Sequence, residues 1–368
     1  MHFNKAALPL LAASMPLAEG RLNYWAKKAG LLYFGAATDS PGQRERAGLE
    51  EAYPQYDAIF ADDDTFGQTT PTNGQKWLFT EPEQGVFNWT EGEIVSSLAE
   101  EQDKILRCHA LVWHSQLAPW VEAKTDWTPE TLTAAIKLHI QKVAGHWKGR
   151  CYAWDVVNEA LEDDGTWRQS IFYKVLGTDY IKIAFEEAAK VDPEAKLYYN
   201  DYNLERPGRK SAATVNLVKM LQDDGIRIDG VGMQAHTIAG RSPSIDDYIA
   251  VIDSYAETGV EVALTELDIR IQLPLNETNL EWQKADYRAA VGGCAQSPAC
   301  VGITLWDFYD PFSWVPYVFE GQGAALLWFD DFTPHPAYYG ALAALKNATG
   351  ACDVSCPDER SFFERRKR

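Results

Sequence analysis

The sequence predicts an α/β fold, a single-domain (β/α)8 TIM barrel, on three observations. Eight short apolar runs recur along the 368 residues, helical patterns separate most of them, and several runs end in polar or aromatic residues. Alternating strands and helices imply parallel βαβ units, and eight such units close on themselves. The rival is an open doubly wound sheet, which would carry a glycine-rich phosphate turn after its first strand. The stretch there, Gly35-Ala36-Ala37-Thr38-Asp39-Ser40, is not such a turn.

The elements follow in chain order. Strands are expected at 31–37, 65–70, 105–113, 152–158, 197–200, 230–234, 262–267 and 302–306. Helices are expected at 91–102, 129–147, 179–191, 210–224, 245–258 and 280–294, with a last one at 336–347. Residues 1–18, a lysine followed by a mostly apolar stretch, read as a secretory signal peptide. Residues 19–350 are the barrel domain, and 351–368 form a tail ending in Arg365-Arg366-Lys367-Arg368.

With 53 acidic against 34 basic residues the net charge is −19, which repels nucleic acid and anionic membrane. A neutral substrate meets no such penalty. The 13 tryptophans and 17 tyrosines supply flat faces on which sugar rings stack, although most aromatic residues fill cores. Three sequons, at Asn88, Asn276 and Asn347, fit a secreted, extracellular glycoprotein. Cys294 and Cys300 flank a Ser-Pro turn and are expected to form a disulfide; Cys352 and Cys356 could close another small loop. Cys108 and Cys151 lie in apolar strand-like runs and read as buried thiols. No His-x-His or His-Glu-x-x-His pair is present, so neither a metal nor another cofactor is expected. His114 reads as a buried, hydrogen-bonded histidine. The chain is expected to act as a monomer on a carbohydrate or glycoside.

In a barrel all strand C-termini meet at one mouth. Two glutamates close strands there: Glu159 ends Trp154-Asp155-Val156-Val157-Asn158-Glu159, and Glu266 lies in Ala263-Leu264-Thr265-Glu266-Leu267-Asp268. A carboxylate after an apolar run, with no basic neighbour in sequence, is costly to bury unless function demands it. Two facing one cleft suggest paired acid/base chemistry.

These segments resemble glycoside hydrolase family 10, a family of β-glycanases dominated by endo-1,4-β-xylanases. The likeness also includes Thr65-Phe66-Gly67-Gln68, Leu111-Val112-Trp113-His114-Ser115-Gln116-Leu117, Tyr198-Tyr199-Asn200-Asp201-Tyr202-Asn203, Gly232-Met233-Gln234-Ala235-His236 and Ser313-Trp314. The resemblance implies a retaining double displacement with Glu159 as general acid/base and Glu266 as nucleophile. It implies that Asn158 holds the 2-hydroxyl of the cleaved sugar, that His236 holds Glu266, and that Gln234 contacts the bound sugar. Asp268 would orient His236. Asn73, Lys76, His109, Trp113, Trp306 and Trp314 would wall the glycone sites.

The pattern breaks at Thr72-Asn73-Gly74-Gln75-Lys76-Trp77, where xylanases of this family usually read Glu-Asn-x-Met-Lys-Trp. Cys108, Asp307, Phe308 and Val315-Pro316 also depart from it, and the 319–328 loop is longer and glycine-rich. Changed walls around intact chemistry point to a changed sugar. The sequence reading therefore favours the family's tomatinase branch, which releases an oligosaccharide from the glycoalkaloid α-tomatine. An endo-1,4-β-xylanase is the alternative, and a non-catalytic carbohydrate-binding barrel is more remote.

Overall fold

In the computed structural model, which describes residues 21–39 and 54–351, the chain closes a ring of eight parallel strands. They are β1 (Tyr33–Thr38), β2 (Gln68–Pro71), β3 (Ile105–Trp113), β4 (Ala153–Asn158), β5 (Lys196–Asp201), β6 (Gly230–Met233), β7 (Glu261–Gln272) and β8 (Cys300–Leu305). Each pairs with the next, and β8 pairs back onto β1 with Gly302 opposite Tyr33. Every residue of β1 and β4 is buried, as expected of strands covered by helices on one side and a filled interior on the other.

The main helices are α1 (Pro54–Ala61), α2 (Thr90–Glu101), α3 (Pro129–His146), α4 (Asp179–Val191), α5 (Arg209–Asp223), α6 (Ile245–Ala256), α7 (Glu277–Gln296) and α8 (Pro336–Ala348). Local chemistry explains their starts. Thr128 caps α3 and exchanges hydrogen bonds with Thr131, with Pro129 in the first turn. Ser244 does the same for α6 and Asn276 for α7. α4 turns Tyr180, Ile181, Ala184, Phe185 and Ala188 inward, a helical stripe set against the barrel.

The signal peptide and the Cys352 and Cys356 loop lie outside the described residues. The strand reading differs most at β7, which runs to Gln272 instead of ending at Leu267. Its extension alternates buried Ile269 and Ile271 with more accessible Arg270 and Gln272, and pairs with two short strands, His236–Ile238 and Gln322–Gly323. The sequence pattern does not mark α1, a helix of which only Tyr56 and Phe60 are buried.

Side chains fill the barrel interior. Gly302 and Gly230 leave room for the rings of Tyr33 and Tyr198, which a Cβ would meet at 2.4 and 2.3 Å. Arg107 is 1 % exposed, stacks over the Tyr198 ring at 4.2 Å and pairs with Asp155, also 1 % exposed. Cys294 and Cys300 form the expected disulfide. Cys108 and Cys151 are not thiols: they are bonded to each other, with Cα atoms 5.8 Å apart. Cys108 lies in β3 opposite Trp154 of β4, and Cys151 enters β4, so adjacent strands bring together two sulfurs 43 residues apart. Sequence spacing alone does not show that register.

Closing a 43-residue loop restricts the unfolded chain more than closing one of 6. Replacing both Cys108 and Cys151 by Ala is therefore expected to lower the unfolding free energy by about 2–4 kcal/mol, and removing the 294–300 bridge by less. Guanidinium unfolding compares them; equal midpoints for both variants would contradict the argument.

Candidate active site

The cleft lies at the C-terminal mouth of the barrel, a cavity of about 730 Å³. Glu159 and Glu266 both line it, together with Asn73, Lys76, His109, Trp113, Asn158, Gln234, His236, Trp306 and Trp314. Asp268 stands one layer behind.

Successive side chains of a strand point to opposite faces, so Asn158 and Glu159 reach one cleft only if the backbone turns between them. It does: Glu159 has φ +56°, in the left-handed region that costs a non-glycine residue about 1–2 kcal/mol. Its N–H donates to the Asn200 carbonyl (2.9 Å), and its own carbonyl accepts from Arg168 Nε (2.9 Å). Ala235 repeats the device at φ +62°, between Gln234 and His236, with its N–H held by Glu205 (2.7 Å).

Two amides connect the carboxylates. Gln234 Nε2 donates to Glu159 Oε1 (3.0 Å), and Asn200 Nδ2 donates to Glu266 Oε1 (2.8 Å). Both nitrogens also approach the Asn158 amide, at 3.3 and 2.9 Å. Thr265 fixes Asn200 by donating to its Oδ1 (2.6 Å).

The other oxygen of Glu266 meets His236 Nε2 at 3.1 Å, and His236 Nδ1 meets Asp268 at 2.9 Å. Trp314 Nε1 donates to the same Asp268 oxygen (2.7 Å). Burial opposes a charge on His236, but the Asp268 and Glu266 carboxylates outweigh it and lift the imidazole to about 10. Burial also opposes a charge on Glu266, yet the His236 hydrogen bond and the His109 imidazole hold it below the ordinary carboxylate range. Glu266 is thus kept ionised.

His109 is steered from within the barrel. Its Nδ1 meets Asp155 Oδ2 at 2.9 Å, and Asp155 is held ionised against burial by Arg107 and by His109 itself. Lys76 donates to Gln116 Oε1 (2.6 Å) and Asn73 Oδ1 (3.1 Å) and lies 4.8 Å over the Trp113 ring. Burial lowers its ammonium to about 8 despite the carboxylates nearby.

His114 differs from expectation. It is 27 % exposed, its Nδ1 has no hydrogen-bond partner, and that nitrogen stands 3.8 Å from Glu159 Oε2. Burial lowers its pKa, so it sits beside Glu159 as a neutral ring. Sequence reasoning misses Arg107, Asp155, Gln116 and Asn200 as site residues. Arg107 left a trace, a lone charge inside the apolar 105–113 run, and Asn200 left another at the end of β5.

The family model described as Glycosyl hydrolase family 10 matches residues 21–344. Endo-1,4-beta-xylanase A of Humicola insolens is 64 % identical over 92 % of this chain and 90 % of its own. Endo-1,4-beta-xylanase D of Talaromyces funiculosus is 47 % identical over 95 % of this chain and 84 % of its own. Among solved structures, a family 10 xylanase from Bispora sp. MEY-1 with xylobiose superposes with a TM-score of 0.82 at 43 % identity, covering 88 % of this chain and 99 % of that one.

The tomatinase expectation is overturned by these relatives, which are endo-xylanases. The departures that suggested it support the walls instead of opening them. Thr72 donates to Asp39, a neighbouring carboxylate of the cleft. Gln75 is buried, donates to Ser96 (3.3 Å) and accepts from the His109 N–H (3.1 Å). Cys108 is spent in a disulfide, and Phe308 packs behind the cleft on Tyr56, with ring centroids 4.4 Å apart. The 319–328 loop is tied to β7 through Gln322–Gly323.

The raised His236 group has a linked effect on stability. A folded-state pKa near 10 against about 6.5 unfolded gives a contribution complete below about pH 6.5 and lost as pH rises through about 10. Asp268→Asn should weaken that contribution and flatten the decline in unfolding free energy between about pH 6 and about pH 10, measured by guanidinium titration at both. Parallel declines in variant and wild type would refute this origin.

Proposed function

Because the chain belongs to glycosyl hydrolase family 10, we propose that it is a retaining endo-1,4-β-xylanase, with Glu159 and Glu266 as its reacting carboxyl groups. The observation that carries the assignment is the pair of carboxylates in one cleft, each gripped by an amide that also touches Asn158.

The environment of Glu266 supports the division of roles. Glu266, held ionised, attacks the anomeric carbon as Glu159 protonates the leaving oxygen. The glycosidic C–O bond breaks and a C–O bond to Glu266 forms. Glu159, now a carboxylate, takes a proton from water, whose oxygen displaces Glu266 and restores the original anomeric configuration. Asn158 lies between the carboxylates, where the 2-hydroxyl of the reacting sugar passes. Gln234 and His236 hold the carboxyl groups in place. Lys76 and Asn73 grip hydroxyls on the glycone side, against Trp113, Trp306 and Trp314.

Endo action is supported by the cleft's reach. A second cavity of about 420 Å³ adjoins it, with Asn203, His236 and Arg270 lining both, so the groove extends past the catalytic pair. A secreted glycoprotein completes the reading: two disulfides suit an oxidising compartment, and Asn88 and Asn276 are exposed. Asn347 is partly buried in the last turn of α8, a poorer acceptor.

On linear xylo-oligosaccharides the first-formed product should keep the β configuration, read by proton NMR before mutarotation. Glu159→Gln should lower kcat/KM on xylan by ~10²–10⁴-fold while largely sparing kcat/KM on aryl glycosides with good leaving groups, whose first step needs no proton donor. Glu266→Gln should remove turnover of both. An inverted first product, or equal losses on both substrates for Glu159→Gln, would overturn the assignment.

A further inference from the structure

We propose that the groove between the N-terminus of α7 and the extension of β7 seats the protein's own N-linked glycan, attached at Asn276 and stacked on Trp282. The proposal rests on the secreted-glycoprotein reading above.

The helix cap prepares the attachment point. Asn276-Glu277-Thr278 is a sequon, and Asn276 is exposed just before α7. Its Oδ1 accepts from the Asn279 N–H (3.0 Å), and its own N–H donates to Asn279 Oδ1 (2.9 Å). Only the oxygen of an amide accepts, so the cap fixes which way this side chain faces. The cap makes no use of Nδ2, the atom that takes the sugar. A glycosylated asparagine keeps its carbonyl oxygen, so attachment and capping are compatible.

The groove suits a sugar. Its volume is about 830 Å³, and Asn276 lies in its wall with Trp282, Gln272, Gln322 and Arg241. Trp282 is 41 % exposed, although tryptophan is on average a highly buried residue. The ring rests against Gly240, where a Cβ would meet two of its atoms at 3.1 and 3.2 Å. Gly240 is itself held, its N–H donating to Asp286 (2.6 Å). The indole is thus a supported platform, on which the C–H face of N-acetylglucosamine stacks. Gln272 donates its Nε2 to the Gly321 carbonyl (2.9 Å), which leaves its oxygen for a sugar hydroxyl. Gln322 spends its oxygen on Arg270 (2.8 Å), which leaves its amide nitrogen as a donor.

The surface around the sequon is apolar. Leu273 and Leu275 are exposed between β7 and α7, and with Trp282 they place three large apolar side chains at the surface within ten residues. A glycan rooted at Asn276 starts among them. Being covalently attached, it reaches the groove at a higher effective concentration than a free saccharide.

The test uses enzyme secreted from a host that attaches high-mannose glycans. Glycopeptide mass spectrometry reads occupancy, and endoglycosidase H, which cuts between the core N-acetylglucosamines, reads access in the native protein. Release from Asn276 should be about five- to tenfold slower in the wild type than in Trp282→Ala, the effect of one aromatic contact. Trp282→Tyr should keep most of that protection. Asn88, exposed elsewhere, should be cut at the same rate in all three. Both variants should hydrolyse linear xylohexaose with unchanged kcat and KM, which also shows that they fold. Equal release from Asn276 in wild type and Trp282→Ala overturns the proposal. So does a KM raised by Trp282→Ala in the Thr278→Val background, which lacks the sequon and would assign the groove to the polysaccharide. An unmodified Asn276 beside a glycosylated Asn88 overturns the proposal and leaves the glycoprotein reading standing; two unmodified sites overturn both.

Discussion

A buried ion pair inside the barrel underlies the arrangement of the mouth. Arg107 and Asp155 are both 1 % exposed, on neighbouring strands β3 and β4. Breaking such a pair by removing one partner leaves an uncompensated buried charge, typically about 3–5 kcal/mol. Asp155 uses its remaining capacity on His109, and His109 in turn favours the charge on Glu266. The floor of the cleft is thus electrostatically continuous with the interior. Tyr198 and Tyr152 extend the network by donating to Glu261 at the start of β7 (2.6 and 2.7 Å).

The two glutamates occupy different surroundings although each accepts from an amide. Glu266 has a cationic imidazole on one oxygen and Asn200 on the other. Glu159 has Gln234 and, at longer range, the neutral ring of His114. One carboxylate is held as an anion by an adjacent cation; the oxygens of the other meet an amide and, at longer range, an imidazole, so the proposed nucleophile and proton donor stand in different surroundings.

Much of this was legible in the sequence. Periodicity placed eight strands and seven of the helices, since burial on both faces makes parallel strands continuous apolar runs. The residues of the cleft were legible because strand ends in a barrel must converge. The less legible parts depend on register. That Cys108 meets Cys151, that Thr72 meets Asp39, and that Gln75 holds the His109 backbone follow from which strand neighbours lie level. Read one residue at a time, these positions looked like altered walls and suggested another substrate. In three dimensions they brace the same cleft.

The covalent link between β3 and β4 bears on how the enzyme is made. It ties the strand that carries His109 and Trp113 to the entry of the strand that carries Asn158 and Glu159. A host that keeps thiols reduced would deliver this part of the barrel held by hydrogen bonds and packing alone. Material from a reducing cytosol and material from an oxidising export route would then share one sequence and differ in heat tolerance, so the production route is itself a variable in any comparison of activity.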